Sequence, residues 1–437
     1  MNEFVHESFH SGAAPYGRID RLLRARLLAQ MDALDGCSLR LRDAIGTSEL
    51  GRGTGSLTID VHDATFYRAV AMNGSVGAAE AYIDGAWDCD DLVGLVRLLV
   101  RNRDLLDGME TGLARTGSLA LRAWHALRRN TRDGARRNIA AHYDLGNDFF
   151  RLFLSDDLMY SSALYAGADD TLEQASTRKL ERICRKLQLS PGDRVVEIGG
   201  GWGGFALHAA RHYGCHVTTT TISRAQHERA CERVHAAGLG GRVDVLLEDY
   251  RDLRGRYDKA VSIEMIEAIG HQYLDTYFAK LGSLLHDDGI ALVQAITIED
   301  HRYARALRAV DFIKRHVFPG CFIPSVSAML GAAAKASDLR LFNLEDIGPS
   351  YALTLAAWRR RFHQAASVIR ALGYDERFLR LWDFYLAYCE GGFRERSIGN
   401  VQMLLVKPGC RREQFVPEGD AGEDAGETAD RAERGTQ

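Results

Sequence analysis

The chain has 437 residues, of which 46% are apolar and 26% charged, and its eight cysteines form no C-x-x-C pair. This composition excludes a collagen-like, a wholly disordered and a disulfide-scaffold protein, and it gives no sign of a zinc knuckle or a dithiol redox motif. Dispersed cysteines are typical of a reducing compartment. The first residues lack the apolar core of a signal peptide, and no apolar run approaches the roughly 18 residues that a membrane span needs. We therefore expect a cytoplasmic protein of two or three domains, without a bound metal, whose contact with any membrane is peripheral.

The net charge of −4 comes from 55 basic and 59 acidic side chains, and it is confined to the C-terminus. Residues 411–437 hold four basic and eight acidic side chains, so the preceding 410 residues are neutral. A tail rich in Gly, Glu and Asp cannot bury a core, and we predict that 411–437 is disordered. A neutral body also argues against a nucleic-acid-binding protein.

The first 127 residues are predicted to form a small α+β unit. The predicted helices are Leu22–Leu34, Ala78–Ile83 and Leu92–Val100, and the predicted strands are Leu39–Leu41, Ser56–Ile59 and Thr65–Val70. A basic stretch, Arg97–Arg137, overlaps its end, with ten arginines against four acids and with interleaved leucines and a tryptophan. This stretch is either a solvated helical linker or a segment that lies on an anionic membrane surface.

From about residue 171 helices and strands alternate, which is typical of a mainly parallel sheet covered by helices on both faces. Thr171 and Gln174 have the spacing of a capping box at the start of the first helix. The predicted strands are Arg194–Ile198, Cys215–Ile222, Val243–Leu247, Tyr257–Glu264, Ile290–Thr297 and Asn400–Val406, the last of them at the sheet edge. The predicted later helices are Gly204–Tyr213, Ser223–Ala237, Tyr273–Leu285, Ala304–His316, Val326–Ala336, Tyr351–Leu372 and Glu376–Glu390.

The sharpest local signal is a glycine-rich turn between a predicted strand and a predicted helix. Glu197 precedes Gly199, Gly201 and Gly203, and these glycines let the backbone turn tightly and approach a ligand closely. The spacing E-x-G-x-G-x-G differs from the G-x-G-x-x-G of dinucleotide folds, and the acid suits a ligand with a cationic aminoacyl end. The turn resembles motif I of the class I S-adenosylmethionine (SAM) methyltransferases. A glycine-rich turn without a ligand is the alternative.

Further candidate cofactor contacts follow the next two strands. The second strand ends in threonines and has no acid of the kind that usually holds a ribose, so Thr219 or Thr221, with Gln226, would hold the cofactor instead. The third strand is followed by Asp249 and Tyr250. We expect Asp249 to accept a hydrogen bond from the adenine amine and Tyr250 to flank the ring.

A series of segments in fixed order resembles the cyclopropane-fatty-acyl-phospholipid synthase family. These segments are Arg137–Phe150, Met159–Ser162, Val217–Gln226, Ser262–Gly270, Val317–Gly320, Ile323–Ser325 and Gly348–Tyr351. The resemblance covers about 137–407, and Ala79–Asp88 resembles the N-terminal lipid-binding domain of the full-length bacterial enzymes. It implies a lipid-binding domain over 1–127, a linker and active-site lid over 128–170, and a catalytic domain over 171–410.

The fold implied by this resemblance is α/β, with a class I SAM-methyltransferase Rossmann-like sheet behind a smaller α+β domain. The implied activity adds a carbon from SAM across the double bond of unsaturated acyl chains in membrane phospholipids. It also implies attachment to the inner face of the membrane, a homodimer, and cofactor contacts from Tyr160, Ser161 and Ile222.

The same resemblance implies a bicarbonate ion as the base that takes the last proton. Its binding positions correspond to Ser162, Glu267, Gln294, the Ile296 backbone N–H and the Tyr351 hydroxyl. Two of them depart from the family pattern, because Ser162 stands in place of Cys and Gln294 in place of His. Gln294 can donate a hydrogen bond but carries no charge, so it stabilises an anion less than a protonated His does.

Glu264 adds a carboxylate three residues before Glu267, where the cyclopropane enzymes mostly have Gly. Either Glu264 displaces bicarbonate and acts as the base itself, or it faces the cofactor or a loop amide and transfers no proton. Together with Ser162 and Gln294 it resembles the tuberculostearic-type subgroup, so a methyl- or methylene-branched product is the alternative to a cyclopropane ring.

Two other kinds of function remain as alternatives, a SAM methyltransferase of a soluble small molecule and a non-catalytic lipid- or SAM-binding protein. The N-terminal unit and the basic stretch argue against the first. The presence of Glu267, Tyr351 and the glycine motif argues against the second.

Overall fold

Two β-sheets organise the part of the chain that the structure describes. The structure is a computed structural model, and it describes residues 16–104, 146–167 and 169–413. Most of the basic stretch and nearly all of the predicted acidic tail lie outside these ranges. Within them, no helix is both long and apolar enough to cross a membrane.

The N-terminal unit has a four-stranded sheet in the order β2-β1-β3-β4, with β1 parallel to β3. Its elements are α1 (Arg18–Met31), β1 (Ser38–Asp43), β2 (Gly46–Leu50), β3 (Ser56–Val61), α2 (Thr65–Ile83), β4 (Trp87–Cys89) and α3 (Leu92–Arg101). The predicted strand Thr65–Val70 is wrong, because these residues form the first turns of α2. The Asp63 carboxylate accepts a hydrogen bond from the Thr65 N–H at 2.7 Å. That contact holds the start of a helix whose β-branched and aromatic residues resemble a strand.

The second sheet has seven strands in the order β10-β11-β9-β8-β5-β6-β7, and helices pack around it. Its strands are β5 (Arg194–Ile198), β6 (His216–Thr221), β7 (Val243–Leu247), β8 (Tyr257–Ile263), β9 (Leu285–Ile298), β10 (Arg340–Asp346) and β11 (Ile398–Val406). Strands β7, β6, β5, β8 and β9 are parallel, whereas β11 and β10 add antiparallel pairs. The predicted α/β fold with a parallel-rich sheet is confirmed. The last strand is not at the edge, because β10 pairs along its outer side.

Helices fill the connections of this sheet. They are α4 (Asn147–Arg151), α5 (Leu172–Leu187), α6 (Gly204–Tyr213), α7 (Arg224–Ala236), α8 (Leu274–Ser283), α9 (Asp300–Arg308), α10 (Val326–Ala336), α11 (Gly348–Gln364), α12 (Ala366–Ala371) and α13 (Glu376–Arg394). The capping box at Thr171 and Gln174 is present.

Two predicted helices are divided in the structure. The segment predicted over Ala304–His316 contains the end of α9 and a separate π-helical turn, because Ala309 is extended with φ −85° and ψ 143°. The segment predicted over Tyr351–Leu372 breaks at Ala365, where φ is −90° and ψ is 4°. Neither break contains Gly or Pro, so nothing local marks it in the sequence.

The N-terminal unit packs against α13. Arg97 and Arg101 on α3 both donate to the Glu395 carboxylate, with N–O distances of 2.6 and 2.7 Å, and the Tyr82 hydroxyl donates to Asp383 at 2.9 Å. Helix α13 also carries Tyr385, which lines a cavity at the seven-stranded sheet. The two units are therefore joined through the helix that forms one wall of the candidate site.

Candidate active site

A cavity of about 250 Å³ lies at the carboxyl ends of the parallel strands. Residues that follow β5, β6, β7 and β8 line it, and so does Ile296 near the end of β9. This is the end of an open parallel sheet at which ligands bind. The surrounding wall is largely apolar, with Phe318, Pro319 and Tyr385 opposite the strand ends.

The glycine turn has the backbone that the sequence predicts. Gly199, Gly201 and Gly203 have φ values of +86°, +54° and +80°, a region that other residues rarely adopt. A Cβ at Gly201 would meet no atom within 4 Å, so this residue borders open space in the cavity. A Cβ at Gly200 would lie 1.8 Å from Thr219 Oγ1, so this position cannot hold a side chain. The turn therefore leaves a cradle of backbone beside an open space, where a ligand can approach closely.

Glu197 and Thr219 support this turn from behind and do not line the cavity. The Thr219 hydroxyl donates to Glu197 Oε2 at 2.6 Å, and both side chains are buried. Burial raises the pKa of Glu197 to about 7. Thr219 is thus engaged with Glu197, whereas Thr221 lines the cavity and donates to Gln226 at 2.8 Å.

Asp249, the predicted adenine contact, also forms an ion pair within the protein. Asp249 lines the cavity, but its carboxylate accepts from Arg251 Nε at 2.8 Å and from a terminal guanidinium nitrogen at 2.6 Å. The Arg251 guanidinium carbon lies 5.6 Å from the ring centroids of both Tyr250 and Tyr273. Sequence reasoning missed Arg251. An arginine two residues after an aspartate in a loop does not by itself predict a bidentate ion pair between them.

Glu264 is the centre of the polar part of the cavity. Its Oε1 accepts from the Ser162 backbone N–H at 3.0 Å, from Gln294 Nε2 at 2.8 Å and from Asn400 Nδ2 at 2.5 Å. Its Oε2 accepts from the Tyr351 hydroxyl at 2.7 Å. We call these four groups the Glu264 donor set. Four donors therefore converge on the two oxygens of this one carboxyl group.

The backbone of Glu264 is unusual as well, since its φ is +50°. A non-glycine residue in this region costs of the order of 1–2 kcal/mol, and such strain clusters at functional sites. Glycine, the residue expected in the cyclopropane enzymes, would adopt this backbone without strain.

Glu267 lies beside Glu264 and differs from it in its environment. Its Oε1 accepts from the Ile296 backbone N–H at 2.6 Å, and its Oε2 is buried with no hydrogen-bond partner among the described residues. Burial, together with the charge of Glu264, raises the pKa of Glu267 to about 8. Of the two neighbouring carboxyl groups, Glu264 is thus surrounded by hydrogen-bond donors, whereas the raised pKa of Glu267 favours its protonated form at neutral pH.

Ser162 contributes through its backbone, because its hydroxyl donates to the Ala163 carbonyl oxygen at 2.9 Å.

Asn400 and Gln402 on β11 are functional candidates that sequence reasoning missed. Gln402 Nε2 donates to Gln294 Oε1 at 3.1 Å, which orients Gln294 toward Glu264. Two polar residues within an otherwise apolar strand could have marked Asn400 and Gln402 as candidates, and both are buried. Their hydrogen-bond partners could not be predicted, because these depend on β11 lying beside β9.

The structure brings most of the predicted site residues into one cavity. Its lining includes Tyr160, Ser161, Gly199, Gly201, Thr221, Ile222, Gln226, Asp249, Tyr250, Glu264, Glu267, Ile296 and Tyr351. The predicted residues outside this lining are Ser162, Glu197, Gly203, Thr219 and Gln294. Ser162 and Gln294 nevertheless reach it through Glu264, as described above.

Comparison with known proteins shows extended similarity. The mycolic acid cyclopropane synthetase family matches residues 130–403. The chain is 37% identical over 350 residues to tuberculostearic acid methyltransferase UfaA1 of Mycobacterium tuberculosis, which covers 78% of this chain and 81% of that protein. It is 38% identical over 360 residues to the cyclopropane-fatty-acyl-phospholipid synthase of Escherichia coli, covering 81% and 89%.

Solved structures agree with these relatives. The cyclopropane synthase MmaA2 from Mycobacterium tuberculosis has a TM-score of 0.58 at 29% identity and covers 62% of this chain and 98% of that one. The mycolic acid cyclopropane synthase CmaA1, complexed with SAH and CTAB, has the same TM-score at 30% identity and the same coverage.

Proposed function

Because the chain belongs to the mycolic acid cyclopropane synthetase family of SAM-dependent methyltransferases, we propose that it adds one carbon from SAM at the double bond of unsaturated acyl chains in membrane phospholipids. The observation that carries this proposal is the Glu264 carboxylate, held by four donors in an apolar cavity beside the glycine turn. The Escherichia coli relative bears the same substrate class in its name.

SAM supplies an electrophilic methyl group, and an alkene that accepts it is left with a positive charge on the acyl chain. The protein must then keep water away from this cation and accept one proton from it. The apolar wall with Phe318, Pro319 and Tyr385 suits a hydrocarbon chain and excludes water. The remaining requirement is a base that reaches into the same cavity.

Glu264 meets this requirement, and we propose it as the base. Its carboxylate lines the cavity and takes up the hydrogen bonds of Tyr351, Gln294 and the Ser162 N–H, the groups that would otherwise hold bicarbonate. An anion covalently attached to the chain thus takes the position of the diffusible one. Bicarbonate is then unnecessary, and the uncharged Gln294 is sufficient because the carboxylate does not have to be captured from solution.

A methyl- or methylene-branched product is the second candidate. It is favoured by the combination of Ser162, Gln294 and Glu264, which departs from the cyclopropane enzymes at the positions nearest the base. If the base cannot reach the added methyl, a hydride shifts along the chain and a proton leaves another carbon. The ring and a branch formed in this way both add one carbon and two hydrogens, but the branched chain keeps one carbon–carbon double bond and the ring does not. A saturated methyl branch would need a separate reductant.

We further propose that the N-terminal unit binds lipid and attaches the enzyme to the inner face of the membrane. The outer side of α1 exposes Ile19 at 66% and Leu22 at 69%. Arg18, Arg21 and Arg26 on the same helix form ion pairs with none of the described residues. Exposed apolar side chains flanked by arginines suit an anionic lipid surface. A homodimer remains an expectation from the resemblance alone.

The test uses the purified full chain with SAM and vesicles of an unsaturated phospholipid. We expect the acyl chains to gain the mass of one CH₂, and NMR of the released fatty acid to locate the added carbon in a ring or a branch. Gly201→Val serves as the control without cofactor binding. The proposal would be contradicted if the protein methylated a soluble metabolite, or if it modified the acyl chains of no unsaturated phospholipid.

A further inference from the structure

A lysine behind the cavity has no role in the chemistry described so far. Lys179 on α5 is fully buried, and its Nζ donates to Ser161 Oγ at 2.9 Å. This is the sole hydrogen bond that the ammonium group makes with the described residues. An ammonium group has three hydrogens to donate, so two of them lack a partner there.

The charge of Lys179 is also uncompensated at short range. No carboxylate of the described residues lies within ion-pair distance of Nζ, although the charges of Asp157, Glu264 and Glu197 act on it from farther away. Burial lowers the pKa of Lys179 to about 8, so the group still carries its charge at neutral pH. Burying a charge without a close partner costs free energy. A buried charged residue of this kind beside a cavity is therefore a candidate for ligand binding.

Ser161 connects this charge to the cavity. It lines the cavity beside Tyr160 and the glycine turn, and its oxygen accepts from Lys179. Its own hydroxyl hydrogen has no acceptor among the described residues. The Ser161 hydroxyl is therefore a donor to the cavity whose oxygen is polarised by a cation directly behind it, and such an arrangement favours an anionic ligand group.

We infer that Lys179 is a positioning residue that, through Ser161, recognises the carboxylate at the aminoacyl end of SAM. This inference rests on the proposed function, since it assigns one end of the proposed cofactor. The carboxylate is the anionic group of that molecule, whereas its ammonium and sulfonium groups would be repelled by Lys179. The part of the cavity lined by Tyr250 and Arg251 is then left to the adenine.

The experiment compares two ligands by calorimetry on the full chain. S-adenosylhomocysteine (SAH) carries the aminoacyl carboxylate, and 5′-methylthioadenosine shares its nucleoside and thioether but lacks that carboxylate. Lys179→Met and Ser161→Ala should each weaken SAH binding by ~10-fold or more, the scale of one charge-assisted hydrogen bond. Binding of methylthioadenosine should change by less than about twofold, because this ligand makes no contact that the variants remove.

Lys186→Met is the matched control. Lys186 is a second fully buried lysine on α5, but its Nζ lies 2.5 Å from Glu345 and it does not line the cavity. Its replacement should leave the ratio of the two affinities as in the wild type, whatever it does to stability.

Equal losses for both ligands, or an unchanged SAH affinity in Ser161→Ala, would overturn the inference while leaving the proposed function intact. Ser161→Ala removes one hydroxyl and gives an answer even if Lys179→Met does not fold. A wild-type chain that binds neither ligand would instead refute the proposed function itself.

Discussion

Replacing Glu267 by Gln should make the protein less sensitive to alkaline pH. Glu267 has a folded-state pKa of about 8 against an ordinary value of 4.5, because it is buried next to the charge of Glu264. Between these two values the unfolded chain loses a proton that the folded chain keeps. The stability contribution is thus fully present below the unfolded pKa and is lost as pH rises to the folded pKa.

The size of this effect follows from the shift. One pKa unit corresponds to about 1.4 kcal/mol, so ionisation of Glu267 should cost wild-type stability about 3 kcal/mol between roughly pH 5.5 and pH 8.5. Gln cannot ionise and can keep the hydrogen bond from the Ile296 N–H with its amide oxygen. The melting temperature of Glu267→Gln should therefore fall less than that of the wild type between these pH values.

Thermal unfolding followed at both pH values measures this difference directly. Glu232→Gln is a suitable control, since the Glu232 side chain is 64% exposed and its loss should leave the pH dependence unchanged. Parallel pH dependences of Glu267→Gln and the wild type would refute the reasoning that Glu267 is protonated in the folded protein at neutral pH.

Three further changes test other parts of the site and surface. Gly201→Val should abolish SAH binding as measured by calorimetry, because the added side chain fills open cavity space at a residue with a φ of +54°. Gly201→Ala should have a smaller effect. An unchanged SAH affinity in Gly201→Val would exclude the turn as the cofactor cradle. Glu264→Gln should lower turnover of lipid on the order of a hundredfold or more, the scale of a general base, while SAH still binds; a nearly silent variant would show that Glu264 is passive. The double change Ile19→Ser and Leu22→Ser should weaken binding to anionic vesicles by about 100-fold or more, because two apolar side chains that each contribute about 1.5–3 kcal/mol at full insertion together contribute about 3–6 kcal/mol. Leu372→Ser, at a residue that is 45% exposed and directly follows α12, should leave vesicle binding unchanged, and equal effects would count against α1 as the docking face.

Local patterns of sequence predicted the cofactor side of the fold well. Strand β5, the glycine turn and α6 have the predicted bounds. An apolar run, three glycines and an amphipathic helix follow each other there, and each can be recognised from a short stretch of sequence. The strand predicted at Thr65–Val70 is wrong because the helix there depends on the hydrogen bond from the Thr65 N–H to the Asp63 carboxylate and on burial of Tyr67. Residue propensities include neither of these contacts.

The polar centre of the site could be predicted only in part. Glu264, Glu267 and Tyr351 follow from the family resemblance, but the hydrogen bond from Asn400 to Glu264 joins residues 136 positions apart. It exists because β11 is inserted between β9 and β10, whereas the sequence suggested an edge strand. Pairings of this kind depend on the order of strands in the sheet, and no local pattern encodes that order.

Exchange of the three positions that depart from the cyclopropane enzymes should restore their chemistry. Ser162→Cys and Gln294→His, combined with Glu264→Gly, would remove the attached carboxylate and add a side chain that can carry charge. We expect this triple variant to require bicarbonate and, where the wild type forms a branched chain, to shift the product toward cyclopropane, as measured by NMR of the fatty acids. An unchanged product would show that the position of the base does not select between ring and branch.

The central claim is that the Glu264 carboxylate replaces a diffusible bicarbonate, and turnover of Glu264→Gly with and without bicarbonate tests it most directly. Glycine relieves the φ of +50° and leaves Tyr351, Gln294 and the Ser162 N–H as free donors around a space that fits a carboxylate-sized anion. We predict that the wild type is equally active in buffer stripped of carbon dioxide, and that Glu264→Gly is inactive there but regains activity when bicarbonate is added. A wild type that needs bicarbonate, or a Glu264→Gly variant that is fully active without it, would contradict the claim.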